Sequence, residues 1–116
     1  MNKDAILKNT RSYDDWLIEQ LKDHESSQSY LEAVFDAYAA DGDITALLLA
    51  LRSVAYAQGG IGKLAKQTGI SREHLYQILS GKHTPRLDSL MSILSSLGFR
   101  IRLERAGKVD TATNNP

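Results

Sequence analysis

The chain has 116 residues, which is enough for one compact domain with a single core. It contains no cysteine, so disulfide bonds and zinc sites with cysteine ligands are excluded. The first residues lack the apolar stretch of a secretory signal, and no apolar run approaches the roughly 20 residues of a transmembrane helix. We therefore expect a cytoplasmic protein.

The net charge is zero, but the two signs of charge are separated along the chain. Residues 1–51 carry four Lys/Arg and ten Asp/Glu, a net charge of −6, whereas residues 52–108 carry ten Lys/Arg and three acidic residues, a net charge of +7. A basic half suits a polyanion, because Lys and Arg displace the counterions of phosphates. An acidic half suits a basic protein surface. The alternative is two solvated surfaces that differ by chance.

Apolar residues recur at helical spacing along most of the chain, which predicts an all-α fold of five or six helices. A short first helix follows Asp14 and Asp15, and a second runs from about residue 27 to residue 40. We expect Gly42 to end the second helix in the left-handed conformation and Asp43 to cap the third. Two short helices then lie on either side of Gly69, and a last helix is expected to begin at Thr84-Pro85.

The apolar period changes from helical to two after the last helix. Phe99, Ile101 and Leu103 alternate with charged residues, a pattern that predicts a short C-terminal β-strand. A single strand cannot satisfy its own edge, so we expect it to pair with a second copy of the chain, with these three residues at the dimer contact. The tail of residues 106–116 is small and polar, which predicts disorder.

The segment IGKLAKQTGISREHLYQILS, residues 61–80, fits a helix-turn-helix. Ala65 supplies a small residue where the two helices cross, and Gly69 can adopt a positive φ at the turn. Apolar residues stand at the positions that should face the core: Leu64, Ile70, Leu75 and Ile78. We interpret the segment as a DNA-binding helix-turn-helix, the alternative being an ordinary helical hairpin.

The second helix of such a motif places its N-terminal residues against base edges in the major groove. Arg72 is a candidate for a bidentate contact to guanine and Gln77 for a contact to adenine. Glu73 can accept from a cytosine amino group or simply favour the positive end of the helix. The candidate phosphate contacts are Lys63, Lys66, Ser71, Lys82, Thr84 and Arg86. Ser71 can equally act as a helix cap alone, and surface lysines are common.

The segment resembles the lambda-repressor-like, Xre-type helix-turn-helix family over about residues 44–97. The whole chain is similar to the HigA-type antitoxins, also called addiction module antidote proteins. Four stretches carry this similarity: DDWLIEQLKD (14–23), SYLEAVFDAYAADGD (29–43), ALRSVAYAQGGIGKLAKQTGISREHLYQILSG (50–81) and SLMSILSSLGFRIRL (89–103). The resemblance implies a dimeric repressor of its own operon that also neutralises a RelE/HigB-type toxin, usually a basic ribonuclease.

The acidic N-terminal region, residues 1–43, is then the expected toxin-binding part, and residues 44–105 are the DNA-binding part with the C-terminal strand. Trp16 lies among acids, and a large aromatic residue there can anchor a partner or fill the core. The expected toxin contacts are Trp16, Asp14, Asp15 and Glu19. The alternative in the same class is a phage- or Xre-type regulator without a toxin, which would not need ten acidic residues in its first half.

Nothing in the sequence predicts catalysis, a cofactor or a metal site. The three histidines lie on separate segments, and none pairs with Asp or Glu at a spacing that would bind a metal on one helix. The sequence has no Ser or Cys nucleophile motif, and Gly59-Gly60 lacks the lysine spacing of a phosphate-binding loop. Paired acids lie at helix starts, where capping explains them. A protein-interaction scaffold that does not bind DNA remains a further alternative.

Overall fold

The computed structural model describes residues 13–107, which form six helices. Residues 13–20 are helical and are named α1. The five helices that follow are α2 (His24–Asp41), α3 (Ile44–Ala57), α4 (Gly60–Thr68), α5 (Arg72–Ile78) and α6 (Leu87–Ser96). The prediction of an all-α chain with five or six helices is therefore confirmed for the described residues.

The predicted C-terminal strand is wrong for this chain alone, because residues 99–107 have no regular secondary structure. A strand exists through hydrogen bonds to a neighbouring strand, and no described residue forms such a ladder with this segment. The Phe99 amide instead donates to the carbonyl oxygen of Leu94 at 2.9 Å, at the end of α6. From residue 108 onward, the tail that the sequence predicts to be disordered lies outside the described residues.

The start of the last helix also differs from its prediction. α6 begins at Leu87, and Arg86 takes the N-cap position with an extended backbone and no side-chain cap. The sequence pattern instead predicts Thr84 as the cap and Pro85 as the first helical residue. The φ angle that proline imposes fits an extended chain as well as a first helical turn, so its presence does not fix where the helix begins.

Local caps also define both ends of α2 and the start of α3. Asp23 caps α2 by accepting from the Ser26 amide at 2.9 Å, and Asp43 caps α3 by accepting from the Thr45 amide at 3.1 Å. Gly42 ends α2 with a φ of 71°. The predicted roles of Gly42 and Asp43 are thus confirmed, while α2 begins a few residues before its predicted start.

All six helices contribute to one hydrophobic core. Leu48, Leu51 and Val54 of α3 lie at its centre and are fully buried. Other buried members lie on both sides of α3 in the chain. They include Leu21 and Leu31 before it, and Leu75, Leu79, Ile93, Leu94 and Leu97 after it. Ser27 is also fully buried, and its hydroxyl donates to the carbonyl oxygen of Leu21 at 2.6 Å. Burial of this polar side chain is possible because it is hydrogen-bonded.

Within the described residues, no single helix has both the length and the apolar composition to cross a membrane. The helices α3 and α4 meet those criteria only when they are taken together, and they are bent by 99° relative to each other.

Candidate nucleic-acid interface

The turn between α4 and α5 is fixed by a set of local hydrogen bonds. Gly69 follows α4 with a φ of 78°, and its amide donates to the carbonyl oxygen of Ala65. The Thr68 hydroxyl donates to the Leu64 carbonyl oxygen at 2.8 Å and accepts from the Ile70 amide at 3.1 Å. The turn therefore has a defined geometry, and the predicted role of Gly69 as the residue with positive φ is confirmed.

Ser71 caps α5 as predicted, because its hydroxyl accepts from the His74 amide at 3.1 Å. Leu75 and Ile78 anchor one side of α5 in the core and are buried. The three candidate base contacts, Arg72, Glu73 and Gln77, are all exposed on the same helix. The structure thus places all three at the surface of a short helix that apolar packing anchors in the core.

Arg72 makes a close contact with α4 that the sequence pattern does not indicate. Its guanidinium group lies against Gly62, where an added Cβ atom would be 2.6 Å from Nη2 and 3.2 Å from Cζ. Among the described residues, Arg72 has no carboxylate partner. The group is therefore oriented by packing against the backbone of α4, and its donors are not taken by an acid.

The candidate phosphate contacts occupy two places around α5. Lys63 and Lys66 are exposed on α4, and Lys82 and Thr84 are exposed in the segment between α5 and α6. Arg86 is also exposed, but its Nε atom lies 3.0 Å from Oδ1 of Asp88. The Arg86 side chain lowers the pKa of the Asp88 carboxyl by hydrogen bonding to it, so a phosphate would compete with this carboxylate for Arg86.

A small cleft of about 180 Å³ separates α5 from the segment that leads into α6. His74 and Gln77 line it from α5, and His83 and Thr84 line it from the opposite side. The sequence did not single out the two histidines as neighbours, because their proximity depends on how the segment after α5 folds back. The cleft places polar donors beside the exposed face of α5.

The first helix carries the residues that the sequence assigns to a protein partner. Trp16 is 55% exposed and Tyr13 is 59% exposed, and their ring centroids are 5.9 Å apart. Asp14 and Asp15 are also exposed, while Glu19 pairs with Lys22 at 3.0 Å. The structure therefore places Trp16 at the surface among carboxylates and not in the core. Tyr13 also lies on this surface, and no sequence pattern distinguishes it from a core residue.

The three candidate dimer residues differ in their surroundings. Phe99 packs partly into the core, with its ring 6.1 Å from that of His24. Ile101 is 40% exposed and Leu103 is 95% exposed. The segment from Phe99 to Glu104 forms one wall of a groove of about 590 Å³ whose other wall is α2.

Histidines and acids do not cluster as a metal site would require. In the part of the chain that the structure describes, no group of three or more His, Asp or Glu residues lies close enough together to hold a metal ion.

Comparison with known proteins identifies the family of this chain. Residues 10–105 match the family model described as "Probable addiction module antidote protein", and because the match covers most of the chain, the chain belongs to that family. The chain is also 28% identical over 95 residues to an uncharacterized protein of Haemophilus influenzae, a match that covers 78% of this chain and 97% of that protein. No solved structure matches the chain. An antidote acts against a toxin, so membership of this family implies a toxin partner in general.

Proposed function

We propose that this member of the antidote family is a cytoplasmic HigA-type antitoxin that binds operator DNA as a dimeric, Xre-type helix-turn-helix repressor and neutralises a small basic toxin of the RelE/HigB type. It acts by binding and not by catalysis. The observation that carries the DNA-binding part is the composition of α5, which is anchored by buried Leu75 and Ile78 and presents Arg72, Glu73 and Gln77 to solvent. The guanidinium, carboxylate and amide groups of these exposed residues are the ones that pair with base edges in the major groove.

In the proposed complex, α5 lies in the major groove and α4 crosses the phosphate backbone. Arg72 donates to guanine, Gln77 pairs with adenine, and Glu73 accepts from a cytosine amino group. Lys63 and Lys66 on α4, together with Lys82 and Thr84 after α5, contact phosphates on either side of the groove. Ser71 and Arg86 make the remaining phosphate contacts, Arg86 after exchanging Asp88 for a phosphate.

The toxin-binding surface is α1 with the acidic side chains around it. Trp16 is the anchor, because a large exposed aromatic residue can fill a pocket on a partner. Asp14, Asp15 and Glu19 favour a basic toxin surface through their charge. All four of these side chains lie in the described part of the acidic region, residues 13–43.

The dimer is proposed to form through the segment after α6. Ile101 and Leu103 are exposed apolar residues on a segment whose backbone forms no ladder with any described residue. Pairing with the same segment of a second copy would supply the missing strand partner and cover these side chains together with Phe99. Two copies would then present their α5 helices to half-sites about one turn of DNA, roughly 34 Å, apart.

Fluorescence anisotropy with DNA from upstream of the gene, beside a scrambled duplex of the same composition, tests the DNA-binding part. We expect tight, salt-dependent binding that prefers the upstream DNA and is lost in Arg72→Ala more than in Lys22→Ala. Equal weak binding to both duplexes would refute the repressor.

Co-expression with the product of a neighbouring reading frame for a small basic protein tests the antitoxin part, with restored growth as the expected result. Light scattering tests the dimer, and we expect the Leu103→Asp variant to be a monomer.

A further inference from the structure

The contact between Arg72 and Gly62 joins two residues that lie on different helices of the candidate interface. Three atoms of the guanidinium group, Nη2, Cζ and Nε, lie 2.6, 3.2 and 3.5 Å from the position that a Cβ atom on Gly62 would occupy. Real Cβ atoms do not approach other heavy atoms to 2.6 Å, so the space is available to Arg72 only because residue 62 has no side chain. The guanidinium group therefore lies against the α4 backbone at Gly62, with Nη2 as its nearest atom.

The glycine at position 62 is not required by the backbone. Its φ is not positive, unlike those of six other glycines of the described residues, among them Gly59 and Gly69. It lies inside α4, where alanine is the better helix former. Neither the turn nor the helix therefore explains why residue 62 is a glycine. The Arg72 guanidinium group, which occupies the volume that a side chain on residue 62 would fill, does explain it.

We infer that Gly62 is a specificity-determining residue of the interface, because it positions the Arg72 guanidinium for base recognition. This inference rests on the proposed DNA-binding function. A bidentate contact to guanine requires the plane of the guanidinium fork to match the edge of the base. A long side chain at the start of a helix has many rotamers, and packing against Gly62 restricts them before DNA is bound, which lowers the entropy lost on binding. Arg72 has no described carboxylate that could orient it otherwise.

The substitution Gly62→Ala separates this role from a structural one. Alanine suits the helix, and the crowded atoms belong to the far end of a flexible side chain, so the fold can accept the methyl group by moving Arg72. We expect the midpoint of urea denaturation to stay unchanged or rise. We expect the affinity for the upstream DNA to fall by about fivefold or more, with a weaker preference at the same base pair that Arg72→Ala affects.

The double variant Gly62→Ala/Arg72→Ala decides whether Gly62 acts through Arg72. If it does, the double variant binds every duplex as Arg72→Ala does, because the methyl group has no further arginine to displace. If Gly62→Ala lowers the DNA affinity by the same factor with Arg72 present and with Arg72 replaced by alanine, the inference is overturned. An unchanged base preference in the Gly62→Ala variant would also overturn it. Gln67→Ala, an exposed change on the same helix outside the candidate contacts, serves as the control.

An NMR measurement on the free protein distinguishes a failure of this inference from a failure of the proposed function. In the free protein, the Nε–H resonance of Arg72 should shift in Gly62→Ala and stay in place in Gln67→Ala, whether or not the protein is able to bind DNA. An unmoved Arg72 resonance would show that the contact does not orient the side chain and would overturn the inference, even if the protein binds DNA. A shifted resonance in a protein with no DNA preference would overturn the proposed function, and with it the role of Gly62 in recognition.

Discussion

The hydroxyl of Thr45 donates a hydrogen bond of 2.8 Å to the carbonyl oxygen of Gly81, a residue 36 positions away. This bond joins the first turn of α3 to the turn after α5. Gly81 has a φ of 81°, and an added Cβ atom there would lie 2.9 Å from Cγ2 of the same threonine. The contact fixes the beginning of the segment that carries Lys82 and Thr84, so the position of these candidate phosphate contacts depends on a residue of α3.

Gly81→Ala should therefore destabilise the fold more than the same change at Gly42. Both glycines have a positive φ, for which an L-residue costs about 1–2 kcal/mol. Only Gly81 adds crowding, because no atom lies within 4 Å of a Cβ on Gly42. We expect urea denaturation to show a larger loss of unfolding free energy for Gly81→Ala. Thr45→Ser, which removes the crowded methyl group and keeps the hydroxyl, should recover part of it. Equal losses at the two glycines would contradict this account.

The stability of α2 should depend on pH through its cap. The Ser26 amide, and after it the Ser26 hydroxyl, donate to the Asp23 carboxylate and lower its pKa below 3.8. A carboxyl with a lowered folded-state pKa stabilises the fold above its ordinary pKa, and this contribution disappears as the pH falls through the folded-state pKa. Asp23→Asn can cap the helix but does not titrate. We therefore compare the midpoints of thermal unfolding of the native protein and of Asp23→Asn. The midpoint of the native protein should fall relative to that of the variant as the pH is lowered from 6 to about 3.

Parallel pH profiles of the native protein and Asp23→Asn would show that this carboxylate does not contribute to folding. The comparison with the variant is needed because Asp88 also has a lowered pKa, through its hydrogen bond with Arg86. That second carboxylate is present in both proteins, so its effect cancels in the difference.

Lys63→Ala should weaken DNA binding without changing which sequence is preferred. The stem of Lys63 lies over Gly59, where an added Cβ atom would be 2.5 Å from Cδ, and the residue as a whole is exposed. In the proposed complex Lys63 contacts a phosphate, and a phosphate contact carries no sequence information. We expect an equal loss of affinity for preferred and scrambled duplexes, and a slope of log affinity against log salt that is smaller by about one. Lys22→Ala, in the acidic half, is the control. A loss confined to the preferred duplex would place Lys63 at a base.

The parts of the fold that sequence could predict are those determined within a few residues. Asp43 and Ser71 cap helices through bonds to amides two or three positions ahead, so residue type and position suffice to assign them. The burial of Leu75 and Ile78 likewise follows from helical spacing. The exposed side of α5 was predictable for the same reason, because it is the complement of the buried one.

The parts that sequence could not predict depend on residues distant in the chain or on another molecule. The contact of Arg72 with Gly62 requires the crossing of α4 and α5, which spacing does not give. The predicted strand at Phe99 to Leu103 is absent from this chain, because a strand requires a partner and a period of two does not supply one. Trp16 shows the same limit, since an aromatic residue among acids is compatible with a core position or a surface position until the helix is placed.

Trp16→Ala should reduce toxin binding and leave the fold intact. The side chain is 55% exposed and is not part of the core, so its loss should change the unfolding free energy by no more than about 0.5 kcal/mol. An aromatic anchor at an interface contributes about 2 kcal/mol or more to binding. Tyr56→Ala, which removes an aromatic residue that is 42% exposed on α3, is the matched control. Isothermal titration with the basic protein encoded beside the gene should show a large loss for Trp16→Ala alone. Similar losses for both variants would indicate a general effect on the surface, and an unchanged affinity for Trp16→Ala would move the toxin site away from α1.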